Sequence, residues 1–257
     1  TPRSSSAASD VYKRQFMLIE EKSSGKECIS VLDGFTLDRE KLIGPQIYQF
    51  LLNAIVTVRL SPGIGLKEKE VIKRLGVSRT PIREALLRLE DEGLVQIFPQ
   101  SGTYVSKIKI EAVLESQFIR EALECSVARY AARNRNDELL DSLSRKLEDY
   151  ETALNDDEVK LMYEKDEEFH RTLANFCFPN RLWKITNQAK LQMDRVRHLS
   201  LAVQERRINV LKEHRWIFQN IADGNEDRAE NAMKKHLEYF HHDLKIVQDE
   251  HPDYFKE

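Results

Sequence analysis

The sequence predicts a mostly α-helical chain with two parts: an N-terminal winged helix-turn-helix of three helices plus a β-hairpin, and a C-terminal antiparallel bundle of six helices. Three observations carry this expectation. Apolar residues recur at helical spacing through most of residues 44–248, and only nine Gly and seven Pro interrupt 257 residues. Between Leu94 and Val105 the period shortens to two, as a hairpin requires. Charge is split, with a net +5 over residues 41–110 and −7 over residues 111–257. A basic module joined to an acidic one suits a nucleic-acid reader with a separate sensing or assembly unit.

Composition narrows the class. Charged residues make up 32% and hydrophobic ones 41%, as in a helical protein with room for two modest domains. No apolar run is long enough for a bilayer, and no secretory pattern is present, so the expected location is the cytoplasm, on the nucleoid when bound to DNA. Cys28, Cys125 and Cys177 are odd in number and widely spaced, which suits reduced thiols. Residues 1–16 are Ser/Ala-rich and read as a non-native linker ahead of Met17, a plausible true start. Residues 17–43 form an N-terminal extension, and 18–43 lack clear periodicity, so partial order at best is expected there.

The winged module is expected over residues 44–108. Gly44-Pro45 opens its first helix, with Ile47, Leu51, Ala54, Ile55 and Val58 inward, and Ser61-Pro62-Gly63 ends it. The second helix runs from Glu68 to Leu75. Gly76 permits the turn into the third, where Thr80 is the expected N-cap and Pro81 the first helical residue. Ile82, Ala85, Leu86 and Leu89 give that helix its apolar stripe, and Gly93 stops it. Arg79 and Arg83 lie one turn apart, off the stripe. Arginine forks match the O6/N7 edge of guanine, and helix N-termini with their hydroxyls suit phosphate. For the helix in isolation, two merely solvated arginines are the more usual description. After Gly93 come Leu94–Phe98, a turn at Pro99-Gln100-Ser101-Gly102, and a return through Thr103-Tyr104-Val105.

The stretch LKEKEVIKRLGVSRTPIREALLRLEDEGLVQIFPQSGTYVSKI, Leu66 to Ile108, resembles the GntR family of bacterial transcription regulators. The resemblance implies that Ser78 and Thr80 sit at phosphate, that Arg79 and Arg83 read bases, and that the wing tip at Gly102 approaches the minor groove. Lys69 stands where relatives often carry arginine; without the planar fork it suits phosphate better than a base.

From Glu111 onward the pattern is helical, with helices expected near 111–133, 137–154, 158–176, 181–204, 208–222 and 226–248. Polar residues interrupt the apolar faces of three of them. Asp166 and His170 lie four apart among Met162, Phe169 and Leu173; His214 lies between Val210 and Ile217; His236 lies between Met233 and Phe240. Burying such groups without partners costs on the order of several kcal/mol. One solution is a shared divalent transition metal, Zn²⁺ or Ni²⁺, held by Asp166, His170, His214 and His236. The other is four separate core residues, each with its own hydrogen-bond partner. His198, His241, His242 and His251 fall off the inward faces and read as surface residues.

Residues 111–248 also resemble the FCD effector domain of the FadR-like GntR regulators, carried by DEEFHRTLA, KEHRWIFQNIADGN and AENAMKKHLEYF. The resemblance implies the same four ligands, an open coordination position, and a small carboxylate effector bound there. It also puts Arg120 near the pocket, where it clamps a carboxylate or pairs with Glu124; Arg195 is a second effector-binding candidate. The expected whole is a homodimer on double-stranded operator DNA, not an enzyme. Two rival readings stay open: a metal-dependent enzyme acting on a small organic acid, with Glu213 or Glu167 as base although both turn from the interior, and a regulator whose metal is purely structural.

Overall fold

The computed structural model describes residues 30–100, 102–201 and 203–256. The expected linker over 1–16, Met17 and Cys28 lie outside them. The chain divides into two compact units, one reaching Ile110 and including His251–Glu257, the other Glu111–Glu250.

In the first unit, α1 (Ile43–Val56), α2 (Glu68–Leu75) and α3 (Arg79–Asp91) precede a hairpin, β2 (Val95–Phe98) and β3 (Gly102–Val105). A two-residue strand, β1 (Gly65–Leu66), joins β3 on its other edge, so the sheet is β1-β3-β2 and antiparallel throughout. The hairpin anticipated from sequence thus has a third strand, too short to leave a period of two. Ile47, Leu51 and Ile55 of α1 bury against Ile82, Leu86 and Leu89 of α3. The alternation of β3 turns Thr103 and Val105 inward and leaves Tyr104 outward. Thr103 donates from its buried hydroxyl to Glu68 at 2.6 Å, fastening the wing to the start of α2.

Two local expectations are corrected here. Ser78, not Thr80, is the N-cap of α3, which places Pro81 in the third helical position. Proline is tolerated there because the first amides of a helix have no partner to lose. Residues 30–42, expected to be loosely ordered, are irregular but docked. Leu32 is buried, Phe35 stacks on Phe50 at 4.1 Å, and Arg39 donates to the Leu75 carbonyl that ends α2. Such side-chain anchoring leaves no helical or strand period.

The second unit contains α4 (Ile110–Asn134, whose first residue belongs to the other unit), α5 (Asp137–Asn155), α6 (Val159–Cys177), α7 (Leu182–Ala189), α8 (Leu191–Ser200), α9 (Gln204–Ala222), α10 (Glu226–Glu238) and α11 (Phe240–Glu250). Two of the expected helices are each divided by one residue. Lys190 separates α7 from α8 and Tyr239 separates α10 from α11. Leu139, Leu143 and Leu147 of α5, Phe169 and Leu173 of α6, Ile217 and Ile221 of α9, and Met233 of α10 form one apolar core. Asn136 and Asn225 cap α5 and α10 by accepting from the amides of Leu139 and Arg228.

Gly76 ends α2 at φ +60° and Gly224 joins α9 to α10 at φ +70°, backbone that side chains adopt at a cost of about 1–2 kcal/mol. The two positions differ in surroundings. A Cβ at Gly76 meets Arg39 only at 3.6 Å, whereas one at Gly224 falls 2.2 Å from the Arg135 guanidinium, which caps the Ala222 carbonyl. Gly76→Ala is therefore expected to lower stability by about 1–2 kcal/mol, and Gly224→Ala by more, in urea denaturation. Equal losses would show that Arg135 yields without cost.

Candidate functional site

The first unit presents one polar face of α3. Ile82, Ala85, Leu86 and Leu89 are buried, while Ser78, Arg79, Thr80 and Arg83 are exposed on the opposite side. Lys69 on α2 is also exposed, as is Gly102 at the wing, where φ is +121°. The basic residues are used unequally. Arg88 is consumed structurally, lying over the Tyr48 ring at 3.7 Å and beside Glu92. Arg74 pairs with Asp33. Among the described residues, Arg79 and Arg83 form no ion pair. Two forks at the N-terminal end of a helix, left to solvent, are what reading a base edge requires.

The second unit gathers Asp166 and His170 of α6, His214 of α9 and His236 of α10. Each offers one donor atom, and the four atoms lie within 4.8 Å of one another; all four residues are buried. The 3.6-residue repeat places Asp166 and His170 on one face of α6, and α9 and α10 pack together to bring the other two opposite.

The carboxylates behind the imidazoles decide their chemistry. His236 points Nδ1 at Glu213, 2.7 Å away, and His170 points Nδ1 at Glu124, 2.5 Å away. A carboxylate facing Nδ1 favours the proton there, which in a neutral ring leaves the lone pair on Nε2. Burial, and then the neighbouring imidazole, hold His236 and His214 well below the usual histidine range, so both are neutral near pH 7. Yet the two Nε2 atoms of His170 and His236 face each other at 3.3 Å. Two lone pairs at that distance repel unless a cation or a shared proton lies between them. His214 Nε2 lies 3.4 Å from Asp166 Oδ1 and meets no hydrogen-bond partner among the described residues. Donors about 2.0 Å from a tetrahedral ion are separated by roughly 3.3 Å, close to these two spacings.

Charge points the same way. Arg197 contacts Asp166, Glu167 and Asp194, and Lys190 contacts Glu167 and Asp194. Arg120 pairs with Glu124, and Arg206 with Glu213 and Asp243. This connected network holds four cationic side chains and six carboxylates. Its carboxylates outnumber its cationic side chains by two, a difference that a divalent cation matches. Burial works against the Asp166 carboxylate, but the Arg197 guanidinium beside it holds it far below the usual range, so it stays ionised. The donor set and the charge therefore fit a divalent transition metal.

A cavity of about 30 Å³ adjoins the cluster, with Asp166 and His236 on its wall beside Arg120, Arg197, Arg206 and Asp243. That is about the space of a single water. Arg120 pairs with Glu124 at 2.7 Å and also lines the cavity. Arg195 does not line it. That side chain is buried in the bundle, donates to Gln192 at 2.6 Å, and is pushed down to about 10 by burial. The break at Lys190 resets the helical phase, and Arg197, about 200° around α8 from Arg195, takes the wall instead. Arg197 and Arg206 were missed from sequence because charged residues beside a helix break read as solvated. Asp194, three residues before Arg197, and Glu213, seven after Arg206, were the available signal.

Three more expectations are corrected. Glu213 and Glu167 do not simply turn away: they stand behind His236 and Arg197. His198 stacks on Tyr163 at 3.7 Å and burial pushes it down to about 4. His251 is buried in the first unit, against Tyr254.

Comparison with known proteins follows the same division. Residues 44–105 match the family described as bacterial regulatory proteins, gntR family, and residues 115–239 match the FCD domain. The HTH-type transcriptional repressor RspR of Escherichia coli (strain K12) is 34% identical over 215 residues, covering 84% of this chain and 94% of that protein. The uncharacterized HTH-type transcriptional regulator YdhC of Bacillus subtilis (strain 168) is 28% identical over 220 residues, covering 85% and 98%. Among solved structures, E. coli McbR/YncC has the same fold, with a TM-score of 0.68 at 18% identity over 82% of this chain and 99% of that one. A transcriptional regulator from Rhodococcus sp. RHA1 gives 0.66 at 23% identity over 79% and 97%.

The cluster makes a direct prediction. Zn²⁺ added to chelator-treated protein should raise its melting temperature, and Glu213→Gln should weaken zinc affinity about 10–100-fold by releasing His236. A melting temperature indifferent to zinc would mean that a proton, not a metal, relieves the opposed nitrogens.

Proposed function

The chain belongs to the gntR family of bacterial regulatory proteins and carries an FCD domain, so it is a transcription regulator and not an enzyme; we propose that it represses transcription as a metabolite-responsive homodimer on operator DNA. Repression is carried over from the E. coli relative, whose printed name is that of a transcriptional repressor. The observation that carries the DNA reading is the exposed face of α3, where Arg79 and Arg83 have no acidic partner among the described residues while nearby arginines are engaged in the fold. In this reading Arg79 and Arg83 contact bases, Ser78, Thr80 and Lys69 contact phosphates, and Gly102 lets the wing follow the minor groove. One such helix makes too few contacts for genomic specificity, whereas a dimer doubles them over two half-sites.

The FCD unit senses a small carboxylate. Asp166, His170, His214 and His236 would hold a divalent transition metal, Zn²⁺ or Ni²⁺, which when bound supplies a Lewis-acidic site for a carboxylate oxygen. Glu124 and Glu213 fix the imidazoles, and Arg197 fixes Asp166. Arg120 and Arg206 on the cavity wall offer guanidinium groups to the rest of the anion. The cavity is small, so the effector is a short acid or one that widens the space on entry. Control follows because an effector bound more tightly by one arrangement of the dimer shifts the protein toward it. No helix among the described residues is long and apolar enough to cross a membrane, and the site of action is the cytoplasm, on the nucleoid.

Two outcomes test this reading. Arg83→Ala is expected to weaken operator binding by about 1–3 kcal/mol and relax the preferred sequence; equal affinity and preference in a binding-site selection would remove α3 from the groove. A thermal-shift screen of small organic acids should give a stabilisation that disappears with chelator. A shift of the same size in both conditions would leave the metal a structural role.

A further inference from the structure

After α11 the chain returns to the first unit. A 3₁₀ turn, Pro252–Tyr254, carries Phe255 alongside Ile108 in a parallel bridge. The Ile108 amide donates to the Tyr254 carbonyl at 2.8 Å, and the Lys256 amide donates to the Ile108 carbonyl at 2.9 Å. Ile108, Phe255 and His251 are all buried, and His251 stacks on Tyr254. The chain passes between its two units at Ile110–Glu111 and again at Glu250–His251. Both crossings are therefore fastened to one another by a backbone ladder within a few residues of each.

We infer that His251–Lys256 is a latch through which the bundle's cavity controls the winged helix. The inference rests on the reading of that cavity as the effector site. Phe240 and Asp243 of α11 line the cavity, as do Arg197 and Ser200 of α8, against which α11 packs. Leu244 and Val247 are buried on the same helix, so α11 is packed along its length while its first turn forms part of the cavity wall. Beyond it the connection is short and stiff. Four residues separate Glu250 from Phe255, three of them wound at about 2 Å per residue, and Pro252 has a fixed φ. A segment with so little slack cannot absorb a displacement of α11. It passes the displacement to Ile108, two residues from the start of α4 and three after the wing strand β3.

The test uses the full chain, Phe255→Ala and Phe255→Leu, with Zn²⁺ alone as the probe. In Phe255→Ala the amides of Ile108 and Lys256 should exchange with solvent at least tenfold faster, as measured by hydrogen exchange. The ratio of operator affinities between zinc-loaded and chelator-treated protein should fall to near one, with zinc affinity within twofold of the parent. Phe255→Leu should restore both, which separates the latch from general instability. An unchanged ratio in Phe255→Ala, or a parent protein that binds zinc without any change in DNA affinity, overturns the latch. A parent that binds no zinc overturns the metal reading, and the latch is then judged by calorimetry. Phe255→Ala must split the unfolding of the two units into separate transitions, and retention of a single shared transition overturns it.

Discussion

Two imidazole nitrogens aimed at each other across 3.3 Å, inside a network whose carboxylates outnumber its cationic side chains by two, set the terms for the rest of the second unit. Apolar packing alone does not favour such an arrangement. The carboxylates of Glu124 and Glu213 face Nδ1 of His170 and His236, which in a neutral ring leaves the Nε2 lone pair pointing inward. Once those four groups are buried, the interior needs a positive charge at one place. Removing charges from water costs several kcal/mol for each ion after relaxation, and only a well-fitted counter-charge offsets it. A divalent cation meets the charge deficit and the directional demand of the donors together, which a lysine or a second arginine would not.

The same accounting separates the two arginine populations of the molecule. In the bundle, Arg120, Arg197 and Arg206 are buried and each contacts at least one carboxylate, so their charge is spent locally and orients ligands and cavity walls. On α3, Arg79 and Arg83 face solvent, and their forks remain available to a partner. A regulator needs both kinds: saturated guanidiniums to define one small pocket, and unsaturated ones to read a polyanion. Between them the material link is covalent and short, through Ile110 on one side and His251–Phe255 on the other.

Periodicity made most of this legible. The stripe Ile82, Ala85, Leu86, Leu89 identified the buried side of α3 and hence the exposed side, and the same logic put Asp166, His170, His214 and His236 on inward faces. What periodicity cannot encode was missed. The strand Gly65–Leu66 is too short to show a period. The breaks at Lys190 and Tyr239 contain neither glycine nor proline. At Lys190 the ammonium instead binds Glu167 and Asp194 beside the discontinuity. Misjudging that phase is why Arg195 was favoured over Arg197. The pairing of Phe255 with Ile108 is a contact between residues more than 140 positions apart, and nothing local in HPDYFK announces its partner.

The central claim is that a metal, not a shared proton, sits among the four donors. X-ray absorption spectroscopy of the protein with bound Zn²⁺ reads this directly. The account predicts one equivalent of zinc with about three imidazole nitrogens and a carboxylate oxygen at roughly 2.0–2.2 Å, and loss of one imidazole in His214→Ala. A zinc shell of sulfur donors, or a shell identical in the parent and in His214→Ala, would contradict it.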